Sequence, residues 1–209
     1  MLTFVQLPVP VIGILRGVEQ DFFGKIMQAS FAHGLQAIEV TMNTVDAEQI
    51  VAKYRALVPE GKYLGMGTVR NPDEAERAVA AGAMFLVTPN LDQAVIRFAR
   101  SQNVPVIVGA LTPTEVYNAW AAGAEMIKVF PCGALGGAQY IRDLRGPFDQ
   151  VKLVAVGGVS LENAPDYFAA GAAGVGVSSS LFGRQALLER NIDSLAENVE
   201  KFLARCPVS

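Results

Sequence analysis

Short apolar runs alternate along the whole chain with longer amphipathic stretches. The runs predict strands at Val9–Leu15, Ala37–Thr41, Tyr63–Thr68, Phe85–Thr88, Val106–Ala110, Met126–Phe130, Lys152–Val156 and Gly174–Val177. Most are apolar at successive positions, as strands of a parallel sheet covered on both faces are. The stretches between them, such as Asp73 to Ala81 and Asp92 to Ser101, carry the spacing of helices with one buried face. Eight strands in strict alternation with helices favour an α/β fold, a single (β/α)8 TIM barrel. A doubly wound open sheet is the alternative.

A weak internal repeat supports the barrel. Gly34, Gly82, Gly123 and Gly171 each follow a helical stretch and precede an apolar strand, at intervals of 41 to 48 residues. Glycine just past a helix end is the expected left-handed cap, so each period carries two strand–helix units, and four periods, one for each glycine, give eight. No Pro/Ser-rich linker interrupts the chain, and 209 residues suit one domain spanning 1–209.

Composition narrows the function. The 17 basic and 20 acidic residues leave a net charge of −3 without a Lys/Arg cluster, which argues against a nucleic-acid partner. Cys132 and Cys206 lie far apart in no metal-binding spacing, as two free thiols in a reducing compartment would. No signal-peptide pattern opens the chain and no apolar run reaches the length of a membrane span. The expectation is a soluble cytoplasmic protein.

In such barrels the chemistry lies at the C-terminal ends of the strands. The polar groups there are Arg16, Glu39, Thr68, Thr88 with Pro89 and Asn90, Lys128, Gly157 with Gly158, and Ser178 to Ser180. Lys128 stands inside Met126-Ile127-Lys128-Val129-Phe130, where both faces should be covered. Burial disfavours its charged form and makes the amine a nucleophile for a carbonyl carbon; a structural lysine paired with a core carboxylate is the other reading. Glu39 sits on the second strand and Lys128 on the sixth, opposite one another in an eight-stranded ring. A carboxylate there can move protons, or can serve a buried ion pair with Lys128 or Arg16. The ends of strands seven and eight are the common phosphate site of these barrels, so Gly157, Gly158 and Ser179 are the phosphate candidates.

Other residues carry less. His33, the only histidine, falls at the end of the first helix, away from the strand ends, and reads as solvated or structural. One histidine and no cysteine pair offer no transition-metal site. Trp120 reads as packing on the fifth helix. Two competing functions remain from the residues alone. An isomerase or epimerase barrel would want a second strand-end acid or a histidine. A non-catalytic sugar-phosphate binding barrel would not need a buried lysine.

The segments Ile14-Leu15-Arg16-Gly17, Glu39-Val40-Thr41, Gly65-Met66-Gly67-Thr68-Val69, Thr88-Pro89-Asn90, Lys128-Val129-Phe130-Pro131, Gly136-Gly137 and Val156-Gly157-Gly158-Val159 together resemble the 2-keto-3-deoxy-6-phosphogluconate and -phosphogalactonate aldolases, nearly end to end. The resemblance implies a class I aldolase without metal or cofactor. Such an enzyme cleaves a phosphorylated keto sugar acid to pyruvate and glyceraldehyde 3-phosphate. It implies a Schiff base on Lys128, proton transfer by Glu39, a keto-acid pocket of Arg16, Thr68 and Pro89, a phosphate site of Gly157, Gly158 and Ser179, and a homotrimer.

Three departures bear on the substrate. The turn Thr41-Met42-Asn43-Thr44 has Asn43 where the gluconate-type relatives carry arginine, and Val156 stands where they carry threonine. With Asn90, both resemble the galactonate type. Valine removes a hydroxyl able to read the C4 configuration, and without arginine at 43 more of the carboxylate binding falls to Arg16. Ser178-Ser179-Ser180 replaces a Gly-Ser pair followed by a larger residue, which alters the phosphate loop.

Overall fold

A computed structural model describes residues 10–207. Eight parallel strands, each hydrogen-bonded to the next and the last to the first, close into a barrel. They are β1 Val11–Leu15, β2 Ala37–Thr41, β3 Tyr63–Gly67, β4 Leu86–Val87, β5 Val106–Ala110, β6 Met126–Val129, β7 Leu153–Val156 and β8 Gly174–Val177. The open-sheet alternative is thereby excluded. Val9, assigned by its pattern to the first strand, lies outside the described residues.

The outer helices are α1 Gln20–Ala32, α2 Ala47–Tyr54, α3 Pro72–Ala80, α4 Gln93–Ser101, α5 Pro113–Ala121, α6 Ala138–Arg145, α7 Ala164–Ala169, α8 Ser179–Phe182, α9 Arg184–Glu189 and α10 Ile192–Leu203. Their starts use side-chain caps that satisfy otherwise orphaned backbone donors. Asn71 accepts from Glu74 N, Asp92 from Ala94 N and Val95 N, and Thr112 and Glu115 cap each other reciprocally. At the other ends Gly34, Gly82, Gly123 and Gly171 all have positive φ, between 91° and 98°, as the repeat predicts. α10 packs against α1 and completes the ring.

Strand alternation separates two cores. Between strands and helices lie Phe23, Ile38, Leu64, Ile127, Val175 and Phe202 among others. Inside the barrel Ile12, Ala37, Phe85, Val87, Ile107, Met126, Val154 and Val156 form a second cluster. Side chains two residues apart share a face. Glu39 therefore points inward above Ala37, and Lys128 above Met126. β3 is thinned to admit Phe85 and Glu39: a Cβ on Gly65 would fall 2.4 Å from Phe85 Cζ, and one on Gly67 2.1 Å from Glu39 Oε1.

The structure trims several expected ends. β3 stops at Gly67 because Thr68 turns to φ 56°, outside the extended region. β4 retains only Leu86 and Val87, since Thr88 turns its hydroxyl onto Asn90 O at 2.7 Å. β6 ends at Val129, before the cis Phe130–Pro131 bond. Trp120 corrects an expectation. The inward residues of α5 are Val116 and Ala119. Trp120 is 42% exposed, edge-on to Tyr117 with ring centroids 6.3 Å apart. Cys132 and Cys206 are free, as expected, and both are buried. Among the described residues no helix is long and apolar enough to cross a membrane.

Candidate active site

The strand ends enclose a cavity of about 470 Å³. Every predicted site residue but one lines it: Arg16, Glu39, Thr68, Pro89, Lys128, Val156, Gly157, Gly158 and Ser179. The exception is Asn43, which is exposed and outside the lining. Asn90 is likewise exposed and outside it. His33 is remote, its Nδ1 donating to Ala29 O at 2.9 Å beyond the end of α1.

Lys128 lies in the β6 ladder, with Gly109 of β5 and Val154 of β7 as register partners. It is only 6% exposed. Burial holds its pKa below the ordinary lysine range; Glu39 opposes that shift and Arg16 adds to it. Its Nζ lies 5.0 Å from the centroid of the Phe130 ring, an aromatic face that accepts a cation.

Glu39 is 1% exposed, and neither carboxylate oxygen has a hydrogen-bond partner in the protein. Burial pushes its pKa up to about 7, against the pull of Lys128 and Arg16. A carboxyl group near pH 7 is divided between acid and base, the state a proton shuttle needs. Among the described residues neither Lys128 nor Glu39 enters an ion pair. Each nevertheless feels the other's charge, and Arg16 adds its own, so the three groups share one electrostatic environment without direct contact.

Hydroxyl contacts hold the mouth. Arg16 Nη2 donates to Thr68 Oγ1 at 3.4 Å, across the ends of β1 and β3. Gly17 N donates to Thr44 Oγ1 at 2.9 Å, and Thr44 Oγ1 lies 3.1 Å from Thr41 Oγ1. Thr88 Oγ1, besides donating to Asn90 O, accepts from Gly109 N at 2.9 Å and so fixes the turn at Pro89. A Cβ on Gly109 would lie 2.3 Å from the Pro89 carbonyl carbon, so β5 must be bare there.

At Gly157 and Gly158 the cavity lining is bare backbone. Gly157 and Gly158 have φ of 88° and 84°, a left-handed turn that side chains resist. Gly133 N donates to Gly157 O at 2.8 Å and Asn163 Nδ2 to Gly158 O at 2.9 Å. These bonds tie up the turn's carbonyls on the protein. Ser178, Ser179 and Ser180 are exposed and open the short α8 beside the turn. Donors of this kind suit phosphate oxygens.

Sequence reasoning missed Ile14, Phe130, Val159, Ser160, Gly176 and Val177 as cavity residues. Ile14 and Gly176 were recoverable from strand parity, being two residues above Ile12 and Gly174. Phe130 and Ser160 lie on loops past strand ends, where alternation gives no direction. Among the described residues no group of three or more His, Cys, Asp or Glu is placed to hold a metal ion.

A buried amine able to add to a carbonyl, a carboxyl able to exchange protons, and a cradle for an anion thus share one cavity. A family model described as KDPG and KHG aldolase matches residues 6–198. The chain is 34% identical to the 2-dehydro-3-deoxy-6-phosphogalactonate aldolase of Escherichia coli strain K12, over 94% of this chain and 96% of that one. A solved structure described as native KDPGal superposes with a TM-score of 0.87 at 31% identity, covering 94% of each chain. The KDPG aldolase of Legionella pneumophila, with pyruvate captured as a covalent carbinolamine intermediate, superposes with a TM-score of 0.88 at 27% identity, covering 96% of this chain and 97% of that one.

Proposed function

The chain belongs to the KDPG and KHG aldolase family, and from that premise we propose that it is a metal-independent class I aldolase cleaving 2-keto-3-deoxy-6-phosphogalactonate to pyruvate and glyceraldehyde 3-phosphate. The observation that carries this reading is the buried, unpaired Lys128 in the same cavity as the unpartnered Glu39.

The Lys128 amine adds to the substrate's C2 ketone, and loss of water gives an iminium. The Glu39 carboxylate takes the C4 hydroxyl proton, directly or through a water. The C3–C4 electron pair flows into the iminium, which releases glyceraldehyde 3-phosphate and leaves the enamine of pyruvate. Protonated Glu39 returns the proton to C3, and water hydrolyses the resulting iminium to pyruvate and free Lys128. Arg16 and Thr68 hold the carboxylate, Pro89 shapes that end, and Gly157, Gly158 and Ser179 receive the phosphate. A binding protein would gain nothing from keeping an amine buried without a partner, because an unpaired buried charge is costly.

Val156 gives the galactonate preference its support: a methyl-bearing wall cannot read the C4 hydroxyl by hydrogen bonding. Asn43 contributes nothing direct to this reading, because its side chain lies outside the cavity. The active form is a homotrimer, to be weighed by sedimentation velocity.

The test is cleavage of the two C4 epimers, with EDTA present, followed by pyruvate release. It is paired with borohydride trapping of pyruvate and mass mapping of the adduct. Release that survives the chelator and an adduct on Lys128 are expected, with the galactonate epimer faster. Equal or inverted rates would transfer the assignment to a dual-specificity or gluconate enzyme. No adduct on Lys128 would end the Schiff-base reading.

A further inference from the structure

A second cavity of about 480 Å³ adjoins the first. Arg16 and Ser178 line both. Its other charged residues are Glu19, Arg184 and Arg190. Glu19 pairs with Arg190, whose guanidinium carbon stacks 4.8 Å from the Phe22 ring centroid. Arg16 and Arg184 have no carboxylate partner among the described residues. Three arginines therefore face one carboxylate in a chain whose net charge is −3.

The first cavity has the opposite shortage. Among the described residues its only cations are Lys128 and Arg16. On the reading above, Lys128 is consumed in the covalent step and Arg16 is drawn to the carboxylate. The cradle of Gly157, Gly158 and Ser178 to Ser180 brings donors and no formal charge, yet a phosphate monoester near neutral pH carries nearly two negative charges. Arg184 is the uncommitted cation in the cavity that Ser178 shares with this cradle. Guanidinium is suited to phosphate because its planar fork donates two parallel hydrogen bonds.

We propose that the second cavity is an anion subsite for a phosphate monoester, with Arg184 as its principal cation. The inference rests on the aldolase reading for the identity of the reaction it serves. The anion has two sources: the phosphate of the substrate, held by the cradle of Gly157, Gly158 and Ser179 and faced by Arg184 from the cavity that shares Ser178, or a free phosphate acting beside it.

The experiment compares wild type, Arg184→Gln and Arg184→Lys in the condensation direction, with saturating pyruvate and either glyceraldehyde 3-phosphate or unphosphorylated glyceraldehyde. Each protein is also titrated calorimetrically with inorganic phosphate after its Lys128 has been reductively trapped with pyruvate. If the substrate's phosphate is the ligand, Arg184→Gln raises KM for glyceraldehyde 3-phosphate about tenfold, leaves glyceraldehyde unchanged, and is rescued by lysine. If a free phosphate is the ligand, KM holds, but the trapped wild type binds inorganic phosphate alongside glyceraldehyde 3-phosphate and Arg184→Gln does not. Identical behaviour of wild type and Arg184→Gln in both arms overturns the subsite. A wild type that fails to trap pyruvate would refute the aldolase reading instead, and phosphate titration of the untrapped protein would still report on Arg184.

Discussion

A β-carbon on Gly67 would lie 2.1 Å from Oε1 of Glu39. The bare backbone of β3 is thus the space in which the carboxyl group sits. Gly67→Ala should force Glu39 off its line to the substrate. Since positioned acid–base groups contribute about 10² to 10⁴ in rate, kcat should fall about a hundredfold or more. Borohydride trapping of pyruvate on Lys128 should persist, because addition of the amine precedes the C4 proton transfer. A variant with wild-type turnover would show that Glu39 needs no fixed position.

The carboxyl group of Glu39 also predicts a pH dependence of stability. Burial raises its folded-state pKa from 4.5 to about 7. The folded state therefore holds this proton over a range in which the unfolded chain has released it, and stability falls as pH rises from about 4.5 to 7. The loss is on the order of 3 kcal/mol. Glu39→Gln should unfold in denaturant close to wild type at pH 4 and be clearly more stable at pH 8. In cleavage the base form is needed, so kcat/KM of wild type should rise through about pH 7, and the glutamine variant should lose that limb.

Thr44 reaches the mouth of the cavity without entering it. Its hydroxyl accepts from Gly17 N at 2.9 Å, beside Arg16. Thr44→Val removes an acceptor worth about 0.5–1.5 kcal/mol net and frees the turn that carries the guanidinium. KM for the keto acid should rise severalfold with a smaller change in kcat, and Thr44→Ser should restore it. A loss confined to thermal stability would limit Thr44 to a structural part.

Val156 is 7% exposed and lines the cavity. Val156→Thr supplies a hydroxyl of nearly the same shape. The ratio of kcat/KM for the gluconate over the galactonate epimer should increase up to about tenfold, the factor that one added hydrogen bond worth about 0.5–1.5 kcal/mol supplies. An unchanged ratio, measured from pyruvate release, would show that the C4 hydroxyl is read elsewhere.

Much of this was legible in the residue order because periodicity and strand parity are local properties. Eight apolar runs and four capping glycines lead directly to the ring, and parity places Glu39 and Lys128 inside it. Loops escape that logic. Nothing in Thr41-Met42-Asn43-Thr44 announces that Asn43 faces solvent while Thr44 is buried against Gly17. Trp120 reads as core by its chemistry alone, and its exposure follows from a helical phase that only the packing of Val116 and Ala119 sets. The need for Gly67 is likewise invisible in the sequence, because the atom that would strike it belongs to the neighbouring strand.

The four capping glycines lie where helices hand over to strands, at the floor of the ring, whereas the cavity residues lie at its rim. Durability and selectivity are therefore written in different stretches of one chain. An engineer can stiffen the floor at a distance from the substrate, whereas a change at the rim acts on what the barrel accepts and, at Glu39, on its stability as well.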